Sequence, residues 1–240
     1  MPSYLVTGAS RGLGFEFVRH LSQNPNNTVI GLVRDKAAAD AKAKSEGVTV
    51  YMVEAQYTDL LSLKNAAESV KSITGRGLDY LIHNAAVLSH ISALKTFGDF
   101  DDDFETLEKD LLESLNVNLL GYIKTVQAFI PLIREGKKKN KAALNVAVAK
   151  YNALYNQDGI LFLAISPGVV STERSRETNP EDAEKLQALA SKFVAYAPHF
   201  SGPINPEESV SAFLSVVDKL SVANGDGGAF ISHLGNKQWV

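Results

Sequence analysis

Near the start of the chain, Thr7-Gly8-Ala9-Ser10-Arg11-Gly12-Leu13-Gly14 combines three glycines with a cation. The run lies between a short apolar β-type segment and an amphipathic helical one, where a dinucleotide-binding turn belongs. Glycine lets the backbone turn sharply and approach a pyrophosphate, and the free N–H groups and positive end of the following helix favour the anion. A second cluster, Val33-Arg34-Asp35, closes the next β-type segment. An acid there hydrogen-bonds ribose hydroxyls, whereas Arg accommodates a 2′-phosphate. Arg34 therefore points to NADP(H) ahead of NAD(H), and Arg11 offers a second guanidinium to the same phosphate. Asp35 argues the other way.

Several other chemistries are disfavoured by composition. The chain has no cysteine, and its five histidines show no ligand-like spacing, so no metal site is expected. A formal net charge of −3 gives no field to draw nucleic acid or an anionic membrane surface. The Lys137-Lys138-Lys139 run reads as a solvated helix end, and the acids from Asp99 to Asp103 read as helix caps. Met1-Pro2-Ser3-Tyr4 lacks the pattern of a signal peptide, and no apolar run reaches the roughly 18 residues needed to cross a bilayer. A cytoplasmic location is the expectation.

The elements that must position these residues follow from periodicity. At 240 residues, with 45% hydrophobic and 21% charged, the chain suits one α/β domain spanning 1–240. Tyr4 to Val6, Thr28 to Val33, Val48 to Val53, Leu78 to His83, Ile160 to Ile165 and Ala229 to His233 read as strands. Helices are expected over Gly12 to Ser22, Lys36 to Glu46, Leu60 to Ile73, Phe104 to Leu115, Asn116 to Arg134, Pro180 to Ala197 and Pro206 to Leu220. Strands alternating with helices predict βαβ units and a doubly wound, mainly parallel sheet with helices on both faces, a Rossmann fold.

The chain resembles the short-chain dehydrogenase/reductase family, as a fungal-type NADP(H)-dependent member, over almost its whole length. Thr7 to Gly14 is similar to the family's T-G-x-x-x-G-x-G, and His83-Asn84-Ala85-Ala86 to its N-N-A-G. Val117-Asn118-Leu119-Leu120-Gly121 resembles the helix carrying a catalytic Asn. Ser166-Pro167-Gly168-Val169-Val170-Ser171-Thr172 resembles P-G-x-V-x-T, which lies against the nicotinamide end of the cofactor. Lys141-Ala142-Ala143-Leu144-Asn145 resembles the stretch that begins with the Lys of Y-x-x-x-K. The likeness implies Asn118 and Lys141 as catalytic positions. It implies Gly8, Ser10, Arg11, Gly12, Leu13, Gly14, Arg34, Asn84, Ala85, Ala86, Lys141, Pro167, Gly168, Val170 and Thr172 around the cofactor. It further implies a lid over 172–201 and pairing of copies into a homo-oligomer.

The pattern breaks before Lys141. Lys137 stands four residues earlier, and no Tyr in the chain has a Lys four residues after it. The family's fifth strand, a catalytic Ser and a loop belong between the helix ending near Arg134 and this Lys, where only Glu135 to Asn140 intervene. A strand, a loop and a helix start amount to roughly two dozen residues. The Tyr would exchange a proton with the substrate oxygen, and the Lys would lower its pKa. A central strand buries several apolar side chains worth about 1.5–3 kcal/mol each, against a total stability of about 5–15 kcal/mol. Three outcomes are open: strand six pairs directly beside strand four, the helix after Lys141 is sacrificed to make a strand, or the sequence lacks a segment of the native product. The resemblance implies hydride transfer between nicotinamide and a small carbonyl or secondary-alcohol substrate. The missing Tyr leaves two alternatives, a catalytically silent NADP(H)-binding protein and a shortened form of an active reductase. Tyr151 and Tyr155 read as packing residues, not replacements.

Overall fold

A computed structural model of the chain describes residues 1–89, 91–92, 95–136, 141–142, 145–173, 183–197 and 200–238, with backbone alone at 141–142, 145–146, 183–184 and 189. Its centre is a parallel sheet ordered β3-β2-β1-β4, from β1 (Ser3–Thr7), β2 (Thr28–Val33), β3 (Tyr51–Glu54) and β4 (Tyr80–Ile82). Leu5 lies opposite Ile30 on one side and Leu81 on the other, which fixes the register of three strands through one residue. Side chains alternate between faces. Leu5, Ile30 and Leu32 therefore enter the core under α3 (Leu60–Thr74) and α5 (Gly121–Glu135). Val6, Val29 and Val33 face α1 (Gly12–Ser22) and α2 (Lys36–Ser45), together with Val210 of α8 (Pro206–Lys219).

Local chemistry sets most boundaries. Asp59 caps α3 by accepting from Leu61 N, and Gly75 ends it in the left-handed region. Asn205 and Glu208 form a reciprocal capping box that starts α8, with Pro206 in its first turn. The third strand begins at Tyr51 and not at Val48, because Val48 N still bonds to Ala43 O and closes the end of α2. The long helical pattern from Phe104 divides into α4 (Phe104–Leu115), a π turn (Asn116–Leu120) and α5.

The region around Lys141 bears on two of the three open outcomes. Lys141 and Ala142 form β5, a strand of two residues paired in parallel with β6 (Leu161–Phe162), and α6 (Asn145–Tyr155) follows. The helix is therefore kept. Nor does the apolar run from Ile160 pair directly with β4 among the described residues. That run is not one strand. It divides at Leu163 because its halves have different partners, β6 joining β5 and β7 (Ala164–Ser166) joining β8 (Phe230–Ser232). Gly77 packs so tightly under the end of α5 that an added Cβ would stand 2.3 Å from the Glu135 carbonyl carbon. With α5 ending there and α6 starting at Asn145, few residues are left to enter the sheet. Of the helix expected from Pro180, the described part is α7 (Ala183–Tyr196); Pro180 itself lies outside the described residues, as do the side chain of Lys141 and the run 137–139.

At the end of β4 the ring of His83 is buried, and its imidazole pKa is pushed down to about 4 by desolvation. An unfolded imidazole titrates near 6.5. A group held below its unfolded value contributes stability that is complete above pH 6.5 and is lost as the pH falls towards the folded pKa. The unfolding free energy is expected to fall by about 3 kcal/mol from this group between pH 6.5 and 4. His83→Asn should flatten that slope in urea titrations at stepped pH. Some slope will remain, since burial also pushes down His233; an unchanged slope in the variant would refute the assignment.

Candidate active site

The site begins where β1 ends. The Thr7 hydroxyl oxygen accepts from Asn84 N and Ala85 N, both at 3.0 Å, and Asn84 Nδ2 donates to Thr7 O at 3.2 Å. These bonds stitch the ends of β1 and β4 together. Gly8 follows with φ 68°, and a Cβ there would stand 3.0 Å from Ala85 Cα. A Cβ on Gly14 would meet Gly8 O at 2.1 Å, so the third glycine of the turn serves close packing. Arg11, the residue before α1, has extended backbone and makes no side-chain cap, so it leaves the first N–H groups of the helix for another acceptor.

A cleft of about 490 Å³ opens over this turn. Gly8, Ser10, Arg11, Gly12, Leu13, Arg34, Asn84, Ala85, Ala86 and Thr172 all line it. Arg11 and Arg34 are exposed and have no ion pair among the described residues. Asp35, which seemed to argue for free ribose hydroxyls, caps α2: its Oδ1 accepts from Ala38 N at 2.9 Å. Thr172 and Glu173 reach over the turn from the far side, and Glu173 pairs with Lys42 of α2 at 3.4 Å. These two are the described start of the expected lid.

Asn118 stands in the π turn and does not line the cleft itself. Its Oδ1 accepts from Val87 N at 2.8 Å and its Nδ2 donates to Val87 O at 2.9 Å, so it fixes a residue that does. The loop beyond is held by Asp110, whose carboxylate accepts from the hydroxyls of Ser89 and Ser92 and is held below the usual range by them. Pro167, Gly168 and Val170 are not among the cleft's lining residues. Gly168, at φ 81°, packs on the His233 ring, where a Cβ would be 2.5 Å away, and Val170 bridges to Ile204. Lys141 is placed by its backbone in β5, opposite Leu161.

Sequence reasoning missed Tyr57. Its hydroxyl donates to Leu32 O at 2.7 Å and accepts from Gly8 N, which ties the glycine turn to β2. Burial raises its pKa, so it stays protonated and serves as a strut. No motif flags a hydroxyl that reaches across 49 residues. Tyr151 packs as expected, stacked on Tyr155 and Phe162. Among the described residues no group of three or more His, Asp or Glu could hold a metal ion, and no helix is long and apolar enough to cross a membrane.

Comparison with known proteins agrees with this geometry. Residues 3–140 match the family model described as short chain dehydrogenase, and the match stops one residue before Lys141. The short-chain dehydrogenase/reductase AacuF of Aspergillus aculeatus is 45% identical over 270 residues, and the short chain dehydrogenase virK of Hypocrea virens is 40% identical over 271. Both alignments cover all of each chain, yet run about thirty residues beyond the 240 of this one. Among solved structures, an NADPH-bound carbonyl reductase from chicken fatty liver superposes with a TM-score of 0.74 at 26% identity, covering 98% of both chains. With the glycine turn, the Asn84 and Asn118 positions and the parallel sheet all in place, the chain belongs to the short-chain dehydrogenase/reductase family of oxidoreductases.

Proposed function

We propose that the cleft holds NADP(H) and that the chain catalyses, at low rate, hydride transfer between the nicotinamide and a small carbonyl or secondary-alcohol substrate. The observation that carries the cofactor choice is Arg34, which lines the cleft and has no ion pair among the described residues. Asp35 is not in the cleft's lining, and its Oδ1 caps α2 by accepting from Ala38 N. Forked hydrogen bonds from Arg34 and Arg11 suit a 2′-phosphate. Gly8 and Gly12, which line the cleft, let the backbone approach the pyrophosphate, which the N-terminus of α1 favours, and Gly14 lets α1 pack against Gly8. The chicken carbonyl reductase, whose structure holds NADPH, supports the same choice.

Hydride chemistry is what the nicotinamide supplies when bound. Asn118 holds the Val87 segment at the cleft wall, and Thr172 closes the opposite side. In the absence of a Tyr four residues before Lys141, water supplies the proton that a carbonyl oxygen takes, and the general-acid contribution of about 10²- to 10⁴-fold is lost. Lys141 stays in the reading as a catalytic position. Its placement in a strand favours the second reading, a catalytically silent NADP(H)-binding protein.

We further propose that copies pair through α4 and the π turn. Leu111, Leu112, Leu115, Leu119 and Leu120 are exposed there at 37–59%. A contiguous apolar face on such a helix marks an association surface.

Calorimetry should show tighter binding of NADPH than NADH. Arg34→Ala should weaken NADPH by roughly 10- to 100-fold, the worth of a lost charged hydrogen bond, and leave NADH unchanged. Equal affinities for the two cofactors would remove the choice. Against a panel of small aldehydes and ketones, NADPH oxidation should be slow but measurable and lost in Lys141→Ala; tight binding without turnover would establish the silent reading. Sedimentation should give a dimer or larger species that Leu112→Glu with Leu115→Glu disperses to monomers, and a monomeric parent chain would exclude the interface.

A further inference from the structure

A second cavity, of about 560 Å³, lies between the sheet and the two helices α1 and α8. Phe17 and Leu21 of α1, Leu214 and Val217 of α8 and Ile82 of β4 give it apolar walls. Its size falls within the range of about 300–1,000 Å³ of small-molecule sites. Phe17, Leu21 and Val217 are buried, whereas Asn24 and Asp218, which also line the cavity, are exposed and mark its mouth. Tyr4 and Tyr80, also in the lining, are half-buried with their rings stacked at 4.5 Å, and the Asp218 charge acts on both. Both tyrosines stand near the starts of their strands, while the nucleotide cleft lies over the ends of β1 and β4. The mouth therefore opens at the opposite edge of the sheet.

The charge at this mouth has one sign. No Lys or Arg lines the cavity among the described residues. Burial first, and then the neighbouring Tyr80 and Asp218, push the Tyr4 pKa up to about 12, so its hydroxyl stays neutral and the carboxylate of the lining is Asp218. Asp218 sits in the last turn of α8, where the helix dipole disfavours an anion, and it makes no ion pair among the described residues. A cation placed there meets the carboxylate together with two electron-rich rings, which attract cations in their own right. An anion would be repelled, and a neutral ligand would leave the charge unmatched.

We propose that this cavity binds an arylalkylamine: the apolar body fills the space between α1 and α8, and the protonated amino group stays at the mouth beside Asp218, Tyr4 and Tyr80. The ammonium keeps part of its water there, which spares it the cost of full burial. The inference does not depend on the cofactor reading.

The test titrates the full chain by calorimetry with tryptamine, its neutral counterpart tryptophol and its anionic counterpart indoleacetic acid. Tryptamine should bind one-to-one, about fivefold more tightly than tryptophol and about tenfold or more than indoleacetic acid, the scale of an exposed ion pair with cation–π support. Asp218→Asn, a change at an exposed position, should bring tryptamine to the affinity of tryptophol and leave tryptophol itself unchanged. On the unaltered chain, nuclear Overhauser contacts should run from the tryptamine ring to the methyl groups of Leu214 and Val217. Absence of saturable binding, equal affinities for the three compounds, or an amine preference that survives Asp218→Asn would overturn the proposal. So would a bound ring that touches neither Leu214 nor Val217.

Discussion

The hydroxyl of Thr7 is the point on which the arrangement of the site depends. Its two lone pairs are taken by Asn84 N and Ala85 N, one from each of the residues that follow β4 and its buried His83. Its oxygen also stands 3.4 Å from His83 Nδ1, which sets the buried ring against the start of the turn. One small polar side chain thus sets where the glycine turn begins and where the β4 loop leaves the sheet. Tyr57 completes the frame from the opposite side by tying Gly8 to β2.

Away from that frame, the connection between α5 and α6 governs the molecule. Between the tight crossing of α5 over Gly77 and the start of α6 at Asn145, Lys141 and Ala142 are the residues paired in the sheet among those described. Among the described residues the strands fall into a four-stranded sheet and two pairs. The cleft over the glycine turn is lined from the first half of the chain and across to Thr172.

The sequence was readable where the determining interactions are short in range. The bounds of α1, α4 and β2 follow from periodicity alone, and Asp59, Gly75 and the Asn205–Glu208 box mark their helix ends within four residues. The glycine turn was legible because strand, turn and helix are contiguous. Legibility failed where contacts are remote. The bond from Tyr57 to Gly8, and the way Asn118 holds Val87 from outside the cleft, span tens of residues and have no local signature. β5 is too short to show a period of two, so nothing in Lys141-Ala142 distinguishes a strand from the start of a helix. The division at Leu163 depends on two separate pairing partners, and an unbroken apolar run gives no sign of either.

The Lys42–Glu173 pair joins α2 to the segment that covers the glycine turn. Glu173 is largely exposed, and an exposed pair of this kind is worth about 0–1 kcal/mol. The Lys42 ammonium also lies 4.5 Å from the centre of the Phe15 ring, a cation–π contact that keeps it beside α1. A clasp this weak is comparable with thermal energy. In kinetic terms the hold of this segment on α2 is a swinging door and not a lock, and its electrostatic part dissolves as ionic strength rises.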